Sequence, residues 1–296
     1  MKPAAFDYLR PDTLPEALEA LASGDASIKI LAGGQSLVPM MNMRLARPTQ
    51  LIDINDLKEL TTITPLNRTL RIGAMVRQAE LERYVSTRPS WALLSAALSQ
   101  VGHPQTRNRG TVGGSLVHAD PSAELPLLLV TYGGRLLLTR QLGTRSVDVE
   151  DFFQFLFTTA TGSDELLTAV EWAEPAPAAG MAFEEFARRA GDFAVVAAAC
   201  LVEVDENRHC RAVRLGLGGA GPVPLLADTA QLVGCSLETR TIEEFAVSLA
   251  QSLDPPEDLA ADGDFRRQLI RTLSSRVLHH ATRQAMRHQK GGRTHG

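Results

Sequence analysis

Two short stretches hold the residues with the clearest chemistry: Ala32-Gly33-Gly34-Gln35-Ser36 and Thr111-Val112-Gly113-Gly114-Ser115. Each sets two adjacent glycines beside a hydroxyl, and the first adds a side-chain amide. Adjacent glycines let the backbone take φ > 0 and approach a ligand with no Cβ in the way. Successive N–H groups turned to one side form an anion-binding nest. Read alone, either stretch is equally a tight turn leaving a strand. Read together, they offer donors enough to engage a pyrophosphate from two sides. Neither stretch contains Lys or Arg, so charge compensation rests on backbone dipoles, with about 1.5–3 kcal/mol per charge-assisted bond. Asp120 or Glu124, shortly after the second stretch, could accept from ribose or adenine donors.

Other motifs fail on context. Gly216-Leu-Gly218-Gly-Ala-Gly221 is a literal G-x-G-x-x-G after a strand. A dinucleotide fingerprint must open a helix, and Pro222 and Pro224 force extended backbone instead. No G-x-x-x-x-G-K-[ST] and no G-x-S-x-G occurs, so a P-loop nucleotidase and a serine-hydrolase elbow are excluded. The seven histidines never pair with each other or with Cys200, Cys210 and Cys235 at metal-ligand spacing, so no metal site is expected. Glu184-Glu185 and Glu243-Glu244 read as solvated faces, and Met40, Met41 and Met43 as core filler.

These residues must be held by ordinary elements. Thr13-Leu14-Pro15-Glu16 is a capping box, followed by an apolar face at Leu14, Ala17, Leu18 and Leu21 and a stop at Gly24. Strands are expected at Ile28 to Ala32, Leu51 to Ile54 and Leu70 to Ala74, with helical patterns through Leu81 and from Trp91 to Leu98. Asp120-Pro121 reads as a helix start, with Leu125 to Tyr132 as its body and Gly133-Gly134 as its end. Strands follow at Arg135–Thr139, Ser146–Val149, Leu166–Glu171, Met181–Arg188, Ala194–Val204 and Cys210–Leu217. The segment 174–180, rich in Pro and Ala, is the expected domain boundary. A last helix, about Asp262 to His288, carries Phe265, Leu269, Leu273, Val277 and Ala281 on one face. The predicted domains are 1–176, in lobes of about 1–56 and 57–176, then 177–288, with a disordered tail at 289–296. The fold class is α+β.

Composition sets the outer limits. The chain has 296 residues, 44% of them hydrophobic and 22% charged, with a net charge of −4. That is an ordinary globular balance. No basic stripe interleaved with aromatics appears, so nucleic-acid binding is disfavoured. No apolar run reaches the roughly 18 residues of a membrane span, and no secretory signal is evident. Three scattered cysteines fit a reducing compartment and cannot hold a four-cysteine iron–sulfur cluster.

The longer strings LAGGQSLVPMMNMRLARP and RNRGTVGGSLVHADPSAELP closely resemble the flavin subunit of the molybdenum hydroxylases, the xanthine dehydrogenase, carbon monoxide dehydrogenase and N-heteroaromatic hydroxylase group. Arg189-Ala-Gly-Asp192-Phe193-Ala194 is also similar to that family's pattern, and the resemblance covers almost the whole chain. It implies a two-lobed vanillyl-alcohol-oxidase-type (PCMH-type) FAD-binding domain, followed by an α+β domain of the carbon monoxide dehydrogenase flavoprotein type. It implies that Ala32, Gly33, Gly34, Gln35, Ser36 and Leu37, with Thr111, Gly113, Gly114 and Ser115, hold the FAD pyrophosphate and ribityl chain. By the same carry-over His118 stands near the flavin, Glu124 faces the adenosine half, Leu167 packs on the cofactor, and Phe193 takes the place of a Tyr or Trp beside the isoalloxazine. Gln35 replaces a common His. The family holds FAD non-covalently.

The family arrangement implies an electron-transfer subunit with no catalytic acid or base of its own. A large molybdopterin subunit would hydroxylate a small, N-heterocyclic substrate, and a small subunit with two [2Fe–2S] clusters would pass electrons to FAD here. An external acceptor would then take them. A cytoplasmic dimer of heterotrimers is the implied assembly. The alternative is a self-sufficient FAD-dependent oxidoreductase of the same fold.

Overall fold

The computed structural model describes residues 2–292. In chain order the elements are β1 (Asp7–Leu9), α1 (Leu14–Leu21), β2 (Ile28–Leu31), α2 (Leu37–Asn42), β3 (Gln50–Asp53), β4 (Ile63–Leu66), β5 (Thr69–Gly73), α3 (Gln78–Val85), α4 (Ala92–Leu98), α5 (Pro104–Arg109), α6 (Val112–His118) and α7 (Glu124–Tyr132). Then come β6 (Gly134–Arg140), β7 (Gly143–Asp148), α8 (Val149–Phe152), β8 (Phe153–Phe155), β9 (Thr158–Thr159), β10 (Leu166–Ala173), β11 (Gly180–Phe186), β12 (Val196–Val204), β13 (Cys210–Gly218), β14 (Leu225–Leu226), α9 (Thr239–Ser252) and α10 (Gly263–Gly292). The chain falls into two compact units. One comprises Met1–Arg83, His103–Ala119 and Gly134–Trp172, the other Tyr84–Gly102, Asp120–Gly133 and Ala173–Gly296.

The first unit holds two larger sheets and the two-stranded β8–β9 hairpin. The smaller, in the order β1-β3-β2, is parallel. It forms a core with α1, where Ala17, Leu18 and Leu21 meet Ile52, Ile54, Leu57 and Leu60. The Thr13 cap is present, its hydroxyl accepting from the Glu16 amide at 3.4 Å, but the expected reciprocal bond is shifted by one residue: the Glu16 carboxylate accepts from the Asp12 amide at 2.9 Å rather than from Thr13. The larger sheet runs β4-β5-β10-β6-β7, with β4–β5, β10–β6 and β6–β7 antiparallel.

The second unit is built on an antiparallel sheet, β11-β12-β13-β14. Strand β12 is buried on both faces. Val196, Ala198, Cys200 and Val202 join a core with Ile242, Phe245 and Leu249 of α9 and Ile270, Leu273, Val277 and Ala281 of α10. Helix α7 packs against β12 and β13, and all nine of its residues are buried. An all-apolar helix needs cover on every side. Here the sheet yields to it through a small residue: a Cβ at Gly216 would stand 2.0 Å from Thr131 Oγ1. Gly216 of the G-x-G-x-x-G string therefore serves close helix–sheet packing. No helix follows β13, whose chain runs on to the short strand β14.

Several local expectations are corrected. Asp120 does not cap α7: its carboxylate accepts from the Ser122 amide at 2.9 Å in a turn, and the helix begins at Glu124. Of the methionines, Met41 is buried but Met43 is exposed, because α2 is a single short helix with only one face inward. The pair Glu184-Glu185 does not form one solvated face. Alternation along β11 turns Glu184 to Arg276 at 2.6 Å and leaves Glu185 half-buried. Helix α10 continues through Gly292, into the segment expected as a tail, and 293–296 lie outside the described residues.

Candidate functional site

Strand β2 delivers Ala32 to Leu37 at its carboxyl end. Gly34 takes φ +74°, a left-handed conformation that turns the chain into α2. The Gln35 amide closes the turn by donating to the Gly33 carbonyl at 3.4 Å, and Val38 and Met40 donate to the carbonyls of Gly34 and Ser36 at 3.1 Å each. The N–H groups of Gly33, Gly34, Gln35, Ser36 and Leu37 find no protein acceptor among the described residues, nor does the Ser36 hydroxyl. Five successive donors left open where a strand enters a helix are a strong electrostatic invitation to an anion.

The second stretch is built differently. It is not a loop but the first turn of α6, capped by Thr111, whose hydroxyl accepts from the Gly114 amide at 3.1 Å. Its other amides are taken as well. Val112 donates to Val76 at 3.0 Å, Gly113 to Ala74 at 2.8 Å, and Ser115 to Thr111 at 3.2 Å. The expectation that both stretches supply backbone donors is corrected for the second, whose amides are bonded within the protein: the backbone nest is the first stretch. What the second has left to offer is the Ser115 hydroxyl, which makes no protein bond among the described residues, and a surface stripped of side chains.

The two stretches meet. A Cβ on Gly33 would stand 2.4 Å from the Arg109 carbonyl oxygen and 2.9 Å from Gly110 Cα, and one on Gly114 would lie 3.6 Å from Ala32 Cβ. At Gly33 backbone thus touches backbone, and only glycine permits it. The result is a cradle with open amides on one wall and a hydroxyl on each. That donor set suits a dinucleotide diphosphate.

Other predicted residues divide between the units. His118 ends α6, its ring 5.1 Å from that of Phe157, which sits at the turn of the β8–β9 hairpin with φ +53°. Leu167 is buried on β10 opposite Leu138. Glu124 and Phe193 belong to the second unit. Glu124 is buried in the first turn of α7, and Phe193 is 58% exposed between β11 and β12. Two open grooves of about 580 and 650 Å³ run along α9 and α10 and contain none of these residues. Among the described residues no group of three His, Cys, Asp or Glu converges to hold a metal ion. Burial pushes the Cys210 thiol up to about 11 and that of Cys200 higher still, which leaves both unreactive. Arg77 and Asn55, which lie beneath the cradle, belong to neither glycine stretch. An Asn two residues past a strand's end and an Arg just before a helix carry no motif.

Residues 4–172 match the family described as the FAD binding domain in molybdopterin dehydrogenase, and residues 181–281 match the CO dehydrogenase flavoprotein C-terminal domain. The 6-hydroxypseudooxynicotine dehydrogenase complex subunit alpha of Paenarthrobacter nicotinovorans is 37% identical over 96% of this chain and 97% of its own. The caffeine dehydrogenase subunit beta of Pseudomonas sp. (strain CBB1) is 37% identical over 94% and 95%. The crystal structure of quinoline 2-oxidoreductase from Pseudomonas putida 86 contains a chain that superposes with a TM-score of 0.89 at 36% identity, covering 97% of this chain and all of that one (100%). The chain belongs to the family of FAD-binding medium subunits of the molybdenum hydroxylases.

Proposed function

We propose that this chain is the electron-transfer subunit of a multi-subunit molybdenum hydroxylase. Bound FAD would supply one- and two-electron redox chemistry. The chain's own part is to hold it. Gly33 to Leu37 receive the diphosphate on their open amides, Ser36 and Ser115 add hydroxyls, and Thr111, Gly113 and Gly114 shape the opposite wall. Ala32 and Leu167 pack against the cofactor, and His118 stands near the flavin. Residues 1–176 form the cofactor domain and 177–288 the second domain.

Bound here, the flavin would accept electrons from two [2Fe–2S] clusters of a small subunit and would pass them to an external acceptor. A large molybdopterin subunit hydroxylates the substrate. The relatives named for caffeine, quinoline and a nicotine derivative favour an N-heterocycle as that substrate. The assembly is a dimer of heterotrimers in the cytoplasm. The observation that carries the reading is the run of amides without protein acceptors, set against the backbone of a second glycine stretch.

The test is expression with and without partner chains. The full chain alone binds FAD and oxidises no N-heterocycle, and the copurified complex does so in the presence of an artificial acceptor. A flavin-loaded single chain that turns over such a substrate unaided would contradict the proposal.

A further inference from the structure

The two walls of the cradle are tied together by a residue in neither motif. Arg77 is fixed to the second stretch by its backbone: it bridges Thr111, and the next residue, Gln78, donates its amide to the Gly110 carbonyl at 2.9 Å. Its guanidinium then reaches both walls. Nη1 donates to the Arg109 carbonyl, the oxygen against which Gly33 packs. Nη2 donates to Asn55 Oδ1 at 2.6 Å, and Asn55 Nδ2 donates to the Ala32 carbonyl at 2.9 Å. Asn55 is itself anchored, since its amide N–H donates to Asp53 Oδ1 at 3.0 Å and Asp53 accepts from the Tyr8 hydroxyl.

No carboxylate pairs directly with this tie. Both oxygens that accept from the guanidinium are neutral, and among the described residues no carboxylate lies within ion-pair distance of Arg77 or of exposed Arg109. Asp53 and Glu80 act on Arg77 only from a distance, and the hydrogen bonds Asp53 accepts from Tyr8 and Asn55 outweigh its burial and hold it ionised. Burial, with the neighbouring Arg109, pulls the Arg77 guanidinium below its ordinary value. A half-buried cation in that setting gains from an anion brought near it.

We propose that Arg77 is the positioning residue of the diphosphate site, locking the Gly33 and Gly110 walls through the Arg109 carbonyl and Asn55 and supplying the positive charge that neither glycine stretch contains. The inference rests on the reading of the cradle as the FAD site. It accounts for how a site with no Lys or Arg in its motifs compensates a dianionic group.

The test uses the full chain freed of flavin. ADP, which carries the diphosphate without the flavin, is titrated by calorimetry, and FAD and riboflavin by fluorescence quenching. Arg77→Gln weakens ADP and FAD by about tenfold to a hundredfold, as expected for one charge-assisted contribution, and leaves riboflavin within about twofold. Arg77→Lys, which keeps the charge but cannot bond both walls, recovers part of the loss. A merely structural role would weaken riboflavin equally and show no such recovery, and that result overturns the proposal. So does a folded Arg77→Gln chain that binds ADP like the parent. Should Arg77→Gln fail to fold, Asn55→Ala decides: weakened ADP binding supports the tie, and parental affinity overturns it. A parent chain that binds neither ADP nor FAD overturns the functional reading itself, whereas a parent that binds both with unaffected variants overturns only the role of Arg77.

Discussion

A carboxylate on β11 shows how much one residue's placement matters. Glu185 is half-buried, its Oε2 has no donor, and burial pushes its carboxyl up to about 7. The folded state therefore holds this proton more tightly than the unfolded chain does. The stability it contributes is complete below the ordinary Glu range and is lost as pH rises through about 7. Glu185→Gln is expected to stabilise the chain by about 1–3 kcal/mol at pH 8, discounted for partial exposure, and by almost nothing at about pH 4. Urea midpoints at the two pH values measure this, and an equal shift at both would refute it. The sequence carried no sign of it. Adjacent glutamates look alike on paper, and only the alternation of a strand whose two faces are both covered separates Glu184, paired with Arg276, from Glu185.

At the scale of elements, α6 is the instructive case. Gly113-Gly114 costs a helix about 1 kcal/mol per glycine relative to alanine, so propensity argues for a loop. Tertiary structure overrides it: the Val112 and Gly113 amides bond Val76 and Ala74, and Thr111 caps the turn. Thr111→Val keeps the shape and removes the cap. We expect a loss of about 1 kcal/mol in unfolding free energy, with the Gly114 amide left unsatisfied and FAD retention reduced. Urea unfolding of the flavin-free chain and flavin content after gel filtration read the two effects, and unchanged values in both would show that the cap does not hold this wall. The first wall was far more legible. A strand, two glycines and a hydroxyl announced the nest at Gly33 to Ser36, and strand β2 ends at Leu31, one residue before the reading placed it. Helix α7 was found from its apolar run and its Gly133 stop, but not its start, because Asp120 makes a local turn instead of a cap.

For the chain as a whole, the strings around the two glycine stretches named the family, and family models and relatives agree. The compact units were not legible as such. The Pro/Ala segment near 174–180 marks where β10 gives way to β11, yet Tyr84–Gly102 and Asp120–Gly133 join the second unit from within the first half of the chain. Hydrophobic periodicity reveals that a helix is buried, not which sheet covers it. Arg77 was equally hidden, since a charge that acts through two neutral oxygens leaves no spacing to read.

The central claim is that FAD is held where Gly33 meets the Arg109–Gly110 backbone. It is tested most directly by counting the FAD released on denaturing the full chain and its Gly33→Ala variant, each first reconstituted with FAD and filtered. An added Cβ would stand 2.4 Å from the Arg109 oxygen, so the walls must part. The parent is expected to release about one FAD per chain and the variant below about a tenth of that, while the flavin-free variant still unfolds cooperatively. A Gly33→Ala chain that retains a full complement of FAD would contradict it.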